Sequence, residues 1–419
     1  MQRERESPLS LPNAPGRLAV GMWWQIGAIG ALAPMLPIYF SGLGVSASSI
    51  AFLSAVQAAA GLVVAQIVGW LADAKYKRTT VLLMLATGAA ISQALFPFLP
   101  GSTAWLAVGV AGLALFFNQQ QPIYNSLLLD SERGEELYPR VRLVGSLGFI
   151  AITLVTGRAA DMPLFTAAIM WPILVFISVA FAWSLRGLVD LAPKDRHRHG
   201  QSRIGFRQAQ RMLLSNPLIL RFLIFIFITQ FVIAPAHMMQ IKLLIDLGAS
   251  SFFAMACVAV ASTCETITFW FGAAIMRKFK LMTLLGIVPA AIFVRTAVIF
   301  FFPNPYAILG TNVLHMISFG LSYMCAVIFI NRETPRELRS SGQTMLGLVY
   351  SFVSMLLGTL ASSGFLSFVD WFSNGSVGET GRLRALFGAY AVVAILGMVA
   401  WWPMKLAYDR KHFPVTGKT

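Results

Sequence analysis

Acidic side chains are scarce in this sequence, with 17 Asp and Glu among 419 residues, and charged residues of both signs make up only 12%. Soluble domains carry roughly 25% charge, so water is excluded as the solvent for most of the chain. Cysteines number three, and Cys257, Cys264 and Cys325 all fall inside apolar runs. That placement excludes a disulfide framework or a thiolate zinc site and leaves them as packing residues. Of the five histidines, His197 and His199 lie in a polar loop and are expected to be solvated, so no metal and no cofactor is expected. The net charge of +15 comes without any nucleic-acid-binding motif or soluble basic domain, which argues against a nucleic-acid partner. The polar segment 1–17 has no apolar core and does not read as a cleavable signal peptide.

Apolar runs fill the rest. Hydrophobic residues make up 57% and the mean hydropathy is +0.72. Runs of about 20 apolar residues are the length that crosses a bilayer as a helix. Twelve are predicted, at 18–40, 49–72, 79–98, 103–129, 141–158, 164–185, 218–241, 251–275, 282–302, 305–330, 341–369 and 385–404. The expectation is an all-α integral membrane protein whose main partner is the lipid bilayer. The one long loop, 186–217, is basic and divides the chain into a six-helix bundle over 18–185 and a second over 218–404, with tails at 1–17 and 405–419. An amphipathic piece is expected in that loop, on the membrane surface. With both termini inside, only Arg158, Lys242, Arg382 and Arg384 lie outside, and Arg142 and Arg295 lie in the membrane. Every other Lys and Arg of the 32 is then cytoplasmic, which is the positive-inside pattern. A bacterial-type inner membrane and a monomer are expected.

Glu265 is the only acid well inside an apolar run, and Arg295 is its basic counterpart in the next run. A charge at the bilayer centre costs roughly 2.5–3.5 kcal/mol even on insertion scales. Intramembrane ionisable residues mark transport and proton-relay sites by default; the alternative is an ion pair or protonated carboxylate that locks two helices. His315 follows in the tenth run. An enzyme would need a clustered nucleophile, a metal set or an acid–base pair, and a sensor an output domain. Neither is visible, so a carrier is the reading and no catalytic residue is assigned.

Short motifs add a resemblance. The second run ends in Gly69-Trp-Leu-Ala-Asp73-Ala-Lys-Tyr-Lys77-Arg78, and the eighth ends in Gly272 followed by Arg277 and Lys280. The first of these resembles the loop signature of the major facilitator superfamily at Gly69, Asp73, Lys77 and Arg78, and departs from it at Ala74 and Tyr76. Gly69 is expected to let helices approach closely, and Asp73 to cap a helix start or pair with basic partners at an inner gate. The stretch Tyr138-Pro-Arg140-Val-Arg142-Leu-Val-Gly145-Ser146-Leu-Gly148-Phe149 resembles the fifth span of nucleoside:proton symporters and of the lactose and phenylpropionate permeases. The resemblance implies substrate contact by Arg142. Ser146 and Phe149 share its helical face. On residues alone Arg142 reads equally well as a topogenic loop charge.

Asn118 to Ser126 is rich in amides, and Asn125 is a weaker substrate-binding candidate there. Gln230 matches the region of a substrate-binding glutamine in the nucleoside symporters. His237 reads as a packing or interfacial residue, and Pro235 between them frees a backbone carbonyl. The order Glu265, Arg295, His315 is similar to that of the lactose permease, which implies proton coupling. Those relatives carry a further acid where this chain has Ser318 or Gly320. Phe319 is a further substrate-binding candidate. The loop from Asn331 to Gln343 is also similar to the nucleoside symporters. The resemblance implies a major facilitator fold of two pseudo-symmetric bundles and proton symport of a small solute, a nucleoside first. A sugar or aromatic acid, or uncoupled facilitation because the second acid is missing, are the alternatives.

Overall fold

A computed structural model describes residues 12–132, 134–162, 167–190, 206–335 and 338–412. Backbone amides that enter lipid must be satisfied within their own segment, and the apolar runs accordingly form helices. In chain order these are α1 (Pro15–Gly42), α2 (Ala47–Trp70), α3 (Arg78–Leu95), α4 (Thr103–Phe117), α5 (Gln120–Leu129), α6 (Gly134–Ala160) and α7 (Ala167–Ser184). A short α8 (Phe206–Leu214) precedes α9 (Pro217–Asp246), α10 (Ser251–Lys278) and α11 (Leu281–Phe301). Then follow α12 (Pro305–Thr311), α13 (Ser322–Glu333), α14 (Arg339–Gly347), α15 (Ser354–Phe372) and α16 (Glu379–His412). Among the described residues ten helices are long and apolar enough to cross a membrane, and Ile169–Ser184 is a shorter apolar one.

Each of the twelve predicted spans has a helical counterpart, but the fourth is broken. Pro122 has no N–H to offer the carbonyl of Asn118, so the ladder fails there and α4 gives way to α5 at Gln119. At the break the side-chain Nε2 of Gln119 donates to the carbonyl of Gly61 at 2.9 Å.

A local repeat links the two halves. After α1, Gly44 takes φ +72° and the Val45 N–H bonds to the Phe40 carbonyl at 3.0 Å. After α9, Gly248 takes φ +79° and the Ala249 N–H bonds to the Leu244 carbonyl at 3.0 Å. Both are Schellman ends, which need a residue free to enter the left-handed region. A serine follows two residues on in each case, and its hydroxyl accepts the N–H three residues later, Ser46 from Ser49 and Ser250 from Phe253. Two further helix starts use asparagine before proline: Asn216 accepts from Leu218 at 3.0 Å, and Asn304 accepts from Tyr306 at 2.9 Å. Proline suits the first helical position, where its missing N–H goes unneeded.

The chain divides into two compact units, Met1–Tyr39 with Ala59–Gln201 and Phe40–Ala58 with Ser202–Thr419. In the first, Leu18, Met22, Leu82, Leu85, Tyr124 and Phe181 belong to one buried cluster. Small residues bring α1 and α6 together: Thr153 donates to the Gly30 carbonyl at 2.9 Å, and a Cβ on Gly30 would meet the Phe149 carbonyl at 2.7 Å. In the second, Phe222 and Phe329 stack at 3.9 Å in a separate cluster. Leu213 of α8 joins that cluster, which anchors the described part of the predicted linker. His197 and His199 lie outside the described residues. Large apolar side chains such as Trp270, Val155 and Phe176 face outward, a surface that suits lipid and not water.

Candidate functional site

In the second unit four helical segments converge on a buried polar cluster. Arg295 of α11 is 4% exposed. Its Nη2 donates to Asn312 Oδ1 at 2.8 Å and to Gln240 Oε1 at 3.1 Å. Its Nη1 lies 3.2 Å from His315 Nδ1 and 3.5 Å from Ser318 Oγ. None of the four partners is a carboxylate, and a guanidinium fork is the side chain that can serve several acceptors at once. Gln240 Nε2 donates to Asn312 Oδ1 as well, at 3.1 Å. On its other edge His315 faces Glu265, with Nε2 3.9 Å from Oε2. His237 of α9 approaches from a third direction, its Nε2 3.2 Å from His315 Nδ1.

The backbone under this cluster is irregular. Asn312–Leu314 is 3-10 helix and Met316–Leu321 is a π-helical stretch. Such stretches are frequent at functional sites because they disturb the ordinary ladder. Thr268 of α10 donates to the Met316 carbonyl at 3.2 Å. Phe319 stacks on the His315 ring at 5.1 Å and on Tyr323 at 6.5 Å. Tyr350, itself on the π-helical stretch Leu348–Val353, packs edge-on to Phe319 and Tyr323 at 5.9 and 5.3 Å. A Cβ on Gly320 would lie 3.3 Å from Glu265 Cγ. An acid at that position would set two carboxylates side by side, which explains in physical terms why glycine fits here. Among the described residues no group of three or more His, Cys, Asp and Glu is arranged to hold a metal ion.

The structure brings Glu265, Arg295, His315 and Phe319 together. Gln230 lies on α9, 2% exposed, and its Nε2 has no partner among the described residues. Arg142, Ser146, Phe149 and Asn125 lie in the first unit. Arg142, Ser146 and Phe149 follow one another at helical spacing on α6 and are all partly buried. Arg142 Nη1 and Asn125 Oδ1 are buried atoms without a partner among the described residues. Polar atoms buried without partners are costly.

Two residues escaped the sequence reading, Gln240 and Asn312. His237, expected to pack, does so against a functional candidate: its ring meets His315 edge-on at 4.6 Å. Gln240 and Asn312 complete the fork of Arg295. The signal was there in part: His237 and Gln240, and Asn312 and His315, are polar pairs three apart in apolar spans. Such pairs share a helix face.

The loop motif departs from expectation. Among the described residues a Cβ on Gly69 would meet nothing within 4 Å, and the chain then enters a π-helical turn, Leu71–Lys75. The side chain of Asp73 lies outside the described residues. The start of α3 is capped by another acid, Asp190, whose Oδ2 accepts from Thr79 N at 3.1 Å. Arg78 pairs with Asp130 and donates to the Ser126 carbonyl at 3.0 Å, while Lys77 is exposed.

Among the described residues the chain is helical, and its long apolar helices are those of a multi-pass membrane protein of the major facilitator fold. By its match over residues 17–376, the chain belongs to the MFS_1 like family. It is 23% identical over 278 residues to an uncharacterized transporter, YwbF, of Bacillus subtilis (strain 168). That match covers 66% of this chain and 64% of the relative's length. Among solved structures, a mutant form of the nucleoside transporter NupG superposes with a TM-score of 0.80 at 15% identity, covering 94% of this chain and 100% of that one. A bacterial homolog of the human lysosomal transporter Spinster gives 0.70 at 13% identity, covering 94% and 97%. The POT family transporter PepTSo gives 0.70 at 14% identity, covering 94% and 99%. At these identities the likeness carries the fold. The family and the structural neighbours are transporters and not enzymes.

Proposed function

We propose that this protein is a proton-coupled symporter of a nucleoside, working as a monomer in a bacterial-type cytoplasmic membrane with both termini inside. The observation that carries the reading is Glu265 beside His315, which is itself bonded to Arg295, all on transmembrane helices. A carboxylate that passes between wet and dry surroundings binds and releases a proton as its exposure changes. Neutralising Glu265 would remove a charge that opposes closure around the solute, which couples proton to solute in an alternating carrier. Arg295 and His315 hold the carboxylate's surroundings fixed.

Gln230 and Phe319 in the second unit, with Arg142, Ser146, Phe149 and Asn125 in the first, are the residues we assign to solute contact. Amides and a guanidinium suit ribose hydroxyls and base edges, and a phenyl ring suits base stacking. The fifth-span resemblance and the likeness to a nucleoside transporter support a nucleoside over a sugar. Gly69, Asp73, Lys77 and Arg78 are assigned to the inner gate region. A second reading has one observation in its favour: the partnerless Nη1 of Arg142 would hold the carboxylate of an aromatic acid.

Counterflow in proteoliposomes separates these readings. Labelled uridine is expected to exchange, and Arg142→Ala to slow it at least tenfold. Exchange of phenylpropionate but not uridine would transfer the assignment to the acid. Exchange of uridine, lactose and phenylpropionate all at background would overturn the substrate class.

A further inference from the structure

The hydrogen-bond directions around His237 and His315 leave room for one proton more than neutral rings hold. Arg295 has only donors, so His315 Nδ1, 3.2 Å from Arg295 Nη1, accepts. A carbonyl only accepts, so His237 Nδ1, 2.9 Å from the Ile233 carbonyl, donates and carries its ring proton there. The remaining nitrogen of neutral His237 is then a lone pair. It points at His315 Nδ1 from 3.2 Å, and that atom is also a lone pair. Two acceptors at hydrogen-bonding distance repel, and one proton placed between them turns the repulsion into an N–H···N bond.

We propose that His237 and His315 form a binding site for a single shared proton, held between His237 Nε2 and His315 Nδ1. This rests on the symport reading and deepens it by adding a second proton-holding group to Glu265. The proton comes from the aqueous phase; one N–H bond forms at His237 Nε2, no other bond breaks, and the site gains one positive charge. Among the described residues Arg295 and Glu265 face the pair, and Tyr350 stands one ring further out. Arg295, from α11, opposes the added charge. Glu265, from α10, stands 3.9 Å beyond His315 Nε2 and offsets it. Tyr350, from the π-helical stretch before α15, lies against Phe319 beside the His315 ring. With its own proton on Nε2, His315 faces Glu265 Oε2 across 3.9 Å.

The test is nitrogen NMR on histidine-labelled full-length protein in nanodiscs, titrated over the range where imidazoles ionise. His237→Gln and His315→Asn assign the two rings against the other three histidines. In the wild type both rings are expected to change protonation together, in one step of a single proton. His315→Asn is expected to move the His237 step by a full pH unit or more, and His237→Gln to move that of His315. If each ring titrates independently of the other, or His237 keeps its neutral Nδ1–H form throughout, the shared proton is wrong. A parallel measurement of proton influx during uridine uptake tests the reading beneath it. Coupled rings in a carrier that moves no protons would leave the site standing and remove symport.

Discussion

Arg295 Nη2 donates at 2.8 Å to Asn312 Oδ1, and the same oxygen takes a second bond from Gln240 at 3.1 Å. The guanidinium therefore holds α9, α11 and the irregular segment after α12 in one arrangement, without a carboxylate among these partners. A lysine at 295 would keep the charge but has no planar fork. Arg295→Lys is expected to lower gradient-driven uptake at least tenfold. Arg295→Ala would leave the Gln240 Oε1 acceptor unmet at roughly 1–3 kcal/mol, while Asn312 Oδ1 keeps its bond from Gln240, and the melting temperature of the detergent-purified protein is expected to fall. Unchanged melting and uptake in both variants would contradict the role given to the fork.

Proline and glycine are matched across two helices. Pro235 offers no N–H to the Phe231 carbonyl, and that carbonyl is turned against Gly358 of α15 so closely that an added Cβ would overlap it; the Pro235 ring is only 3.3 Å from the same point. Gly358→Ala is expected to cost about 1–3 kcal/mol, the range for overpacking a core. Gly364 lies on the same helix with nothing within 4 Å of an added Cβ. Gly364→Ala is expected to stabilise by about 0.5–1 kcal/mol, since glycine weakens a helix interior. Thermal unfolding of both variants checks the contrast, and equal effects would refute it.

In the first unit the Tyr124 hydroxyl donates to the Leu18 carbonyl at 2.8 Å and fills the space beside Gly21. Tyr124→Phe loses one hydrogen bond, about 1 kcal/mol. Gly21→Ala forces the ring to shift and is expected to cost more. The two changes share one space, so a double-mutant cycle is expected to show coupling of about 0.5–3 kcal/mol. Strict additivity would mean that the contact is not tight.

How much of this the sequence disclosed follows from which forces act locally. The spans were legible because lipid imposes length and apolarity on each helix independently. Glu265 and Arg295 stood out because charge in an apolar run needs a reason. Their partners did not stand out, because Gln240, Asn312 and His237 are ordinary polar residues until tertiary packing aims them at one point. The π-helical stretches at Met316–Leu321 and Leu348–Val353 have no composition of their own. The break at Gln119 was implicit in Pro122 but hidden by the apolar run around it. Gly69 was read from a motif, and no described residue packs within 4 Å of where its Cβ would be.

The central claim is that Glu265 carries the proton that drives the solute. Its most direct test is uptake of labelled uridine into proteoliposomes with and without an imposed inward proton gradient, wild type beside Glu265→Gln. The account predicts that the gradient raises wild-type accumulation at least tenfold and that the glutamine variant does not respond to it. Uptake that ignores the gradient in the wild type, or a Glu265→Gln variant that still concentrates uridine, would contradict it and leave Glu265 as a structural partner of His315.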